Sequence, residues 1–400
     1  MFKKIAGFLL CAFMLLCLGL NAFANETLSV SDYVTAPAWA ESTSANESDI
    51  LNLGGKSVLL IEETTGQILY EKDADVKMAP ASITKIMTLL LTMEALEKGA
   101  FSLDTQVVCS QHAASMGGAQ IWLEEGEKMS VDDLLKAVCI KSANDAAVLL
   151  SELVGGSEEG FVVMMNQRAK ELGMKDTTFK NASGLDAEGH LSTARDIATM
   201  SRALMRHDKI FEYTKIWMDT LRGGETELVN TNKLIRFYKG ATGLKTGTTD
   251  SAGSCLSATA ERDGLSLIGV VMGFSDSKTR NAAASKLLNY GFANYKIETV
   301  EKSEEIPKTL PVKNAVSEEI EVKIGEIPAI LMKKTDSANI EQRVNINDEI
   351  VAPIKEGEKL GKVEIILNGK VHSSYDILAA QSLEKMSFFR AFLMILQNIF

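Results

Sequence analysis

Along the chain the spacing of apolar positions changes period several times, and each change marks a boundary. Residues 57–62 (SVLLIE) are a β-rich apolar run, and Thr65-Gly66 turns the chain into residues 67–70. That pattern predicts a β-hairpin at the edge of a sheet. Pro80 then opens a stretch over 81–96 with apolar residues on nearly every side, among them Ile86, Met87, Leu89, Leu90, Leu91 and Met93. This is the pattern of a helix buried inside a domain, and Gly99 ends it. Helical spacing dominates from 129 to 172, with starts at Ser130 (capping 131–140), near Asp145 and at Gly160, and it returns over 193–205. From about 226 the texture is β-like again, over 240–247, 253–260 and 265–273. Arg262-Asp263-Gly264 joins the last two into a hairpin, and a helix follows over 281–290. The order strands, many helices, strands, helix predicts an α/β (α+β) domain. Its antiparallel sheet unites the first and last strands, with helices packed around it.

After about residue 296 the period is 2. Alternating segments at 319–324 (EIEVKI) and 362–367 (KVEIIL), with Pro307, Pro311 and turn glycines in 351–362, predict a small all-β, sandwich-like domain without candidate chemistry. The last segment, 376–400, reads as an apolar, amphipathic helix. Its end, SFFRAFLMILQNIF, sets Phe388, Phe389, Phe392, Leu393, Leu396, Ile399 and Phe400 at helical spacing. That run is shorter than the roughly 20 residues needed to span a bilayer, and too apolar to lie free in water. It is expected to sink one face into a membrane surface through residues 381–400; docking on the β domain or in a dimer interface is the other reading. At the opposite end, Lys3 and Lys4, an apolar run over 5–20 and Ala22-Phe23-Ala24 predict a secretory signal. The expected division is a signal over 1–24, a loose polar tether over 25–50, a catalytic domain over 51–295, the β domain over 296–375 and the helix over 376–400.

Composition changes this picture little. The 400 residues, 46% hydrophobic and 24% charged, suffice for one large core and a smaller module. A net charge of -11 argues against nucleic acid as a partner. His112, His190, His207 and His372 do not cluster, and neither GxGxxG nor GxxxxGK[ST] occurs, so no metal and no cofactor are expected. Past the signal, Cys109, Cys139 and Cys255 are odd in number and read as buried small hydrophobes.

Three short motifs carry candidate chemistry. Ser82-Ile83-Thr84-Lys85 puts a hydroxyl and an amine three residues apart on one helix face. A hydroxyl is a weak nucleophile without a base, and a lysine serves as one when desolvation and nearby positive charge lower its pKa. A lysine that merely snorkels gives the same spacing. Ser142-Ala143-Asn144 lies between two helices, where the hydroxyl could relay a proton and the carboxamide could bind a substrate amide; simple helix capping is the other reading. Lys245-Thr246-Gly247 lies on a strand-like segment. The lysine and threonine suit a carboxylate there, Gly247 lets a ligand lie against backbone, and the N–H of Thr248 could face a scissile carbonyl.

In order and together, SITK, SAN and KTG resemble the penicillin-recognising serine enzymes, the class of penicillin-binding proteins and class A β-lactamases. More closely, residues 55–295 resemble the low-mass D-alanyl-D-alanine carboxypeptidases, through 79–85 (APASITK), 142–147 (SANDAA), 181–186 (NASGLD), 192–196 (STARD) and 243–253 (GLKTGTTDSAG). The resemblance implies a β-lactamase/transpeptidase-like catalytic domain in an exported enzyme at the outer face of the cytoplasmic membrane. It would trim D-alanine from peptidoglycan stem peptides ending in D-Ala-D-Ala and would be acylated by β-lactam antibiotics. It implies Ser82 as nucleophile, Lys85 as base, and Ser142 and Asn144 as cleft residues aiding proton transfer. Lys245, Thr246 and Gly247 would bind substrate, and the N–H groups of Ser82 and Thr248 would form the oxyanion hole. A β-lactamase would need an added Glu to position water; Glu188 is the candidate in the loop before Ser192, yet its surroundings (LDAEGHLS) resemble the carboxypeptidase loop. An inactive wall-binding protein is the other alternative, against which the intact reactive positions argue.

Overall fold

The computed structural model describes residues 50–337 and 339–388. The expected signal and tether, and the terminal helix from 389 onward, lie outside the described residues. β1 (Ser57–Glu62) and β2 (Ile68–Lys72) form the expected hairpin. Two short ladders follow: β3 (Gln106–Val108) with β4 (Lys128–Ser130), and β5 (Met218–Leu221) with β6 (Thr226–Val229). β7 (Ala241–Thr249), β8 (Gly253–Arg262) and β9 (Leu265–Phe274) then complete a five-stranded antiparallel sheet ordered β2-β1-β9-β8-β7. The first and last strands of the domain are joined through β1 and β9, as the element order predicted. β7, which carries Lys245-Thr246-Gly247, is an edge strand.

Both faces of this sheet are covered at β1 and β9, which explains why those two strands read as largely apolar runs. Leu59, Ile61, Ile268, Val270 and Met272 point into the large core of the helical side. Their neighbours Val58, Leu60, Leu267 and Val271 point the other way, onto Leu287 and Leu288 of the 277–294 helix. On the helical side the layer is partly polar: Ser257 and Thr259 of β8 are fully buried, and Ser257 Oγ lies 2.8 Å from Ser201 Oγ. Lys245 stands opposite Ser257 in the β7–β8 register and shares that face.

Two helices differ from expectation where chemistry is concentrated. The 81–96 stretch is a 3₁₀ turn (Ala81–Thr84) followed by an α-helix (Lys85–Glu97), with Ala81 at φ 50°. The 131–140 stretch is α-helical only over Val131–Lys136 and continues as a π-helical turn over Ala137–Lys141, closed by Ser142 at φ 65°. Short π segments and left-handed non-glycine residues are uncommon and tend to be kept where they aim a side chain.

Beyond the 277–294 helix, β10 (Tyr295–Glu298) pairs with β13 (Ile330–Lys333). β11 (Thr309–Pro311), β12 (Glu319–Ile324), β14 (Ile340–Ile346), β15 (Lys359–Leu367) and β16 (Lys370–Ala379) form a second five-stranded antiparallel sheet, ordered β11-β12-β16-β15-β14. β16 runs to Ala379, and Leu383 and Lys385 bridge to Ile354 and Ala315. Residues 376–386 are therefore strand and extended chain, not the start of the terminal helix.

Candidate active site

Ser82 lies in the 3₁₀ turn, one turn before Lys85, and the turn points both side chains into the space between the helical side and β7. Lys85 is fully buried. Its Nζ donates to Ser82 Oγ at 3.0 Å, to Asn144 Oδ1 at 2.6 Å and to the Ser183 carbonyl at 2.5 Å. None of these three acceptors is a carboxylate. Burial therefore pushes the amine well below its ordinary pKa, the charge of Lys245 pushes it further down, and Asp145 opposes.

Asn144 is held at both ends of its carboxamide, since Nδ2 donates to Gly117 O at 2.6 Å. It starts the 144–155 helix, whose N-cap Ala143 makes no side-chain cap bond, so the capping reading of Ser142 and Asn144 does not hold. Here Asn144 fixes Lys85. The next residue, Asp145, is buried too and accepts from the backbone N–H groups of Ile121 and Leu123. That pair of bonds folds the 117–123 loop around the start of the helix.

Ser142 pairs with β7 instead. Its Oγ accepts from Lys245 Nζ at 2.7 Å, and Lys245 is 1% exposed. Burial holds the Lys245 amine down at about 7, with Arg280 adding to the depression. Thr246 Oγ1 donates to Thr231 Oγ1 at 2.8 Å. The 3₁₀ turn and β7 touch at Gly247, where an added Cβ would come within 3.0 Å of Ala81 Cβ and of the Pro80 carbonyl. Gly247 is thus a packing requirement as well as an opening for ligand. Thr248, one residue on, is exposed on the edge strand, where alternate N–H groups face away from the sheet.

The loop at 181–191 closes the third side. Gly184 passes so near Ala81 that a Cβ there would lie 1.9 Å from the Ala81 carbonyl, and its φ of +82° favours glycine in any case. Asp186 accepts from Thr249 Oγ1 at 2.8 Å and Ser251 Oγ at 2.9 Å, tying this loop to the far end of β7. His190 is buried beneath it with Nε2 2.9 Å from Thr84 Oγ1, and burial pushes its pKa to about 4. Glu188 is exposed, and no hydrogen bond links it to Ser82 or Lys85 among the described residues; the loop meets Lys85 through the Ser183 carbonyl instead.

Of the residues singled out from sequence, hydrogen bonds join Ser82, Lys85 and Asn144 in one group and Ser142 with Lys245 in another, and Gly247 packs against the 3₁₀ turn that carries Ser82. Sequence reading did not find the roles of Ser183, Gly117, Asp145, Thr231 or Arg280. The first two act through backbone carbonyls, which carry no residue-type signal. Arg280 acts through the field it sets at Lys245. Among the described residues, no three His, Cys, Asp or Glu side chains gather into a group that could hold a metal.

Known proteins match this arrangement along most of the chain. The D-alanyl-D-alanine carboxypeptidase family profile covers residues 41–276, and that of the penicillin-binding protein 5 C-terminal domain covers 295–385. The D-alanyl-D-alanine carboxypeptidase DacF of Bacillus subtilis is 40% identical over 390 residues, covering 96% of each chain. DacC of Escherichia coli is 32% identical, over 92% of this chain and 89% of its own. Penicillin binding protein 5 from Haemophilus influenzae has a TM-score of 0.68 at 28% identity, over 83% of this chain and 98% of its own. Penicillin-binding protein D2 from Listeria monocytogenes, in its ampicillin-bound form, scores 0.56 at 35% identity over 60% and 99%. The class is that of low-mass penicillin-binding proteins, with a serine-peptidase fold and a smaller β-rich C-terminal domain. Within it, the chain belongs to the D-alanyl-D-alanine carboxypeptidase family.

Proposed function

We propose that the chain is a serine-type carboxypeptidase that removes the terminal D-alanine from peptidoglycan stem peptides through an acyl-enzyme on Ser82. The observation that carries this reading is Lys85: a fully buried amine, 3.0 Å from Ser82 Oγ, with its pKa held well below the ordinary value. A neutral Lys85 accepts the Ser82 proton as Oγ attacks the carbonyl of the penultimate D-alanine. The oxyanion that forms is stabilised by the N–H groups of Ser82 and Thr248. As the C–N bond breaks, the proton that Lys85 took from Ser82 passes by way of the Ser142 hydroxyl, which Lys245 hydrogen-bonds at 2.7 Å, to the departing amine, and Lys85 is neutral again. Water then attacks the ester carbonyl as neutral Lys85 takes its proton; the acyl C–O bond breaks, that proton passes to Ser82 Oγ, and the shortened peptide leaves with a free carboxyl group. Lys245, with Thr246, receives the terminal carboxylate of the substrate, whose negative charge favours the protonated lysine.

The ampicillin-bound form of the Listeria relative supports β-lactam binding by this chain, with Ser82 as the point of attachment proposed here. The test combines two measurements: hydrolysis of a peptide ending in D-Ala-D-Ala, and intact mass after penicillin treatment. Both should be positive for the native chain and lost in Ser82→Ala, with the circular dichroism spectrum unchanged. A penicillin adduct on Ser82→Ala would sink the assignment.

We further infer that the enzyme is exported by its 1–24 signal and held at the outer face of the cytoplasmic membrane by its last residues. Support comes from the sequence pattern of 387–400; among the described residues no helix is long and apolar enough to cross a membrane. Because Leu383 and Lys385 are paired into the β domain, the informative truncation begins at 388. Removing 388–400 should release active enzyme into the soluble exported fraction; retention on the membrane would refute the anchor.

A further inference from the structure

Two long stretches of the catalytic domain contain no acidic residue. Residues 228–249 carry Lys233, Arg236, Lys239 and Lys245, and residues 277–297 carry Lys278, Arg280, Lys286 and Lys296. In a chain of net charge -11 this is a local reversal of sign. The fold sets the two stretches side by side. The short helix Leu234–Phe237 and the Ser277–Asn294 helix flank a groove of about 240 Å³, with Lys233, Phe237 and Tyr238 on one side and Asn281 and Ser285 on the other.

Next to the groove is an aromatic shelf. Phe237 is 73% exposed, and its ring stands edge-on to Trp217 at 6.1 Å between centroids. The Arg236 guanidinium lies 5.5 Å from the Trp217 ring and 5.6 Å from the Phe237 ring. Lys233, Arg236 and Lys239 enter no ion pair among the described residues. A ring already held by its neighbours offers a stacking face at little further entropic cost, and unpaired cations beside it select an anionic ligand.

Hydrogen bonds link the shelf to β7, the strand of Lys245. Asn230 N donates to the Trp217 carbonyl at 2.9 Å, and the adjacent Thr231 accepts from Thr246 at 2.8 Å. We propose that this cationic, aromatic shelf is a second substrate-binding surface that holds the carboxylate-bearing glycan polymer on which the stem peptides hang. Saccharide C–H faces stack on Phe237 and Trp217, while Lys233, Arg236 and Lys239 meet peptide carboxylates. The enzyme thereby favours polymer-attached peptides over free ones. The inference rests on the carboxypeptidase reading of the Ser82 cleft.

The experiment compares the native chain with Arg236→Ser/Phe237→Ser and, separately, Lys233→Glu, an exposed position whose change leaves the ring packing alone. Each is assayed on an acetylated tripeptide ending in D-Ala-D-Ala and on un-cross-linked polymeric peptidoglycan. Each is also co-sedimented with insoluble peptidoglycan already stripped of terminal D-alanine. Both variants should lose about 5- to 10-fold in kcat/KM on polymer, stay within about twofold on the tripeptide, and pellet less with stripped polymer. Added salt should slow the native enzyme on polymer more than on tripeptide. Equal pelleting of native and variant chains would overturn the proposal, as would equal losses by Lys233→Glu on both substrates. Loss of binding to phosphatidylglycerol vesicles with polymer binding intact would overturn it too, assigning the shelf to a membrane. If no form hydrolyses either substrate, the carboxypeptidase reading fails while co-sedimentation still decides the shelf.

Discussion

The protein contains two five-stranded antiparallel sheets of opposite character. In the catalytic sheet all six residues of β1 are buried, and one face adjoins a layer that includes Ser257, Thr259 and Lys245. In the C-terminal sheet burial alternates: β12 and β14 each bury every second side chain at most, and Val363, Ile365, Tyr375 and Ile377 form an ordinary one-sided core. Buried lysine, aspartate, glutamate and arginine side chains occur only in the catalytic domain among the described residues; Ser303 is the one buried polar residue described beyond 295. A sheet covered on both faces can keep an amine out of water, and desolvation is the largest cause that holds the Lys85 amine well below its ordinary pKa. A sheet with one wet face cannot do this. The division of labour between the domains follows from their layering.

The largest expected effect tests whether desolvation or charge is what Lys85 supplies. Lys85→Arg keeps a cation in the same place but removes the base, because a guanidinium does not give up its proton. Penicillin acylation and peptide hydrolysis should both fall by about 10² to 10⁴-fold. Retention of more than a tenth of the native acylation rate would show that charge suffices, and the contrast between the two sheets would lose its chemical meaning.

A smaller, two-sided effect is expected at Lys245. In the unfolded chain its amine titrates near 10.5, and in the folded protein near 7. Between those values the unfolded state binds more protons, so this group makes stability rise with pH from about 7 to about 10.5 and leaves its full penalty in place below 7. Lys245→Met should therefore raise the melting temperature by a few degrees at pH 6.5 and by much less at pH 10. The same change removes the positive charge that lowers Lys85. What remains of penicillin acylation should consequently show its acidic limb at higher pH than in the native enzyme. A lower melting temperature at pH 6.5, or an unmoved limb, would mean that the buried lysine is not held at a cost to stability.

How much of this was legible in sequence depends on what each feature is made of. β1 and β9 were visible because double-sided burial writes itself as apolar runs, and β7 and β8 through a β-like texture and the Arg262-Asp263-Gly264 turn. The candidate side chains Ser82, Lys85, Ser142 and Lys245 were visible because the chemistry proposed for them is carried by residue type. Their pairing was not: Asn144 turned out to hold Lys85, while Ser142, two residues earlier, holds Lys245. That split depends on the π-helical turn and the left-handed backbone at Ser142, which the 3.6-residue spacing over 131–140 hides. The β5–β6 hairpin also escaped notice, its MDTL and TELV being short and mostly solvent-facing. Over 376–386 the apolar Ile377, Leu378 and Leu383 fit strand and helix equally well, and pairing with β12, β15 and Ile354 settles them as extended chain.

The smallest effect is expected in the C-terminal domain, and it tests the other half of the contrast. Tyr375 is 2% exposed; its hydroxyl donates to Gln342 Oε1 at 2.7 Å and accepts from the backbone N–H of Ser303 at 3.2 Å. It thus joins β16, β14 and the segment leading into the domain. Tyr375→Phe keeps the ring in the core but leaves the Ser303 N–H and one Gln342 oxygen without their partner, a loss of about 1–3 kcal/mol if neither group recovers water. Gln342 is the easier of the two to rehydrate, since its strand alternates toward solvent, so the lower end of that range is expected. Hydrogen exchange should quicken at Ser303 and along β14 and β16, with no change at Leu60 or Val270 in the catalytic sheet. Tripeptide kcat/KM should stay within about twofold of native, because no group of the Ser82 cleft depends on this bond. A drop well beyond that, with the catalytic sheet still protected, would mean that the C-terminal domain shapes the cleft and is more than a one-sided structural sheet.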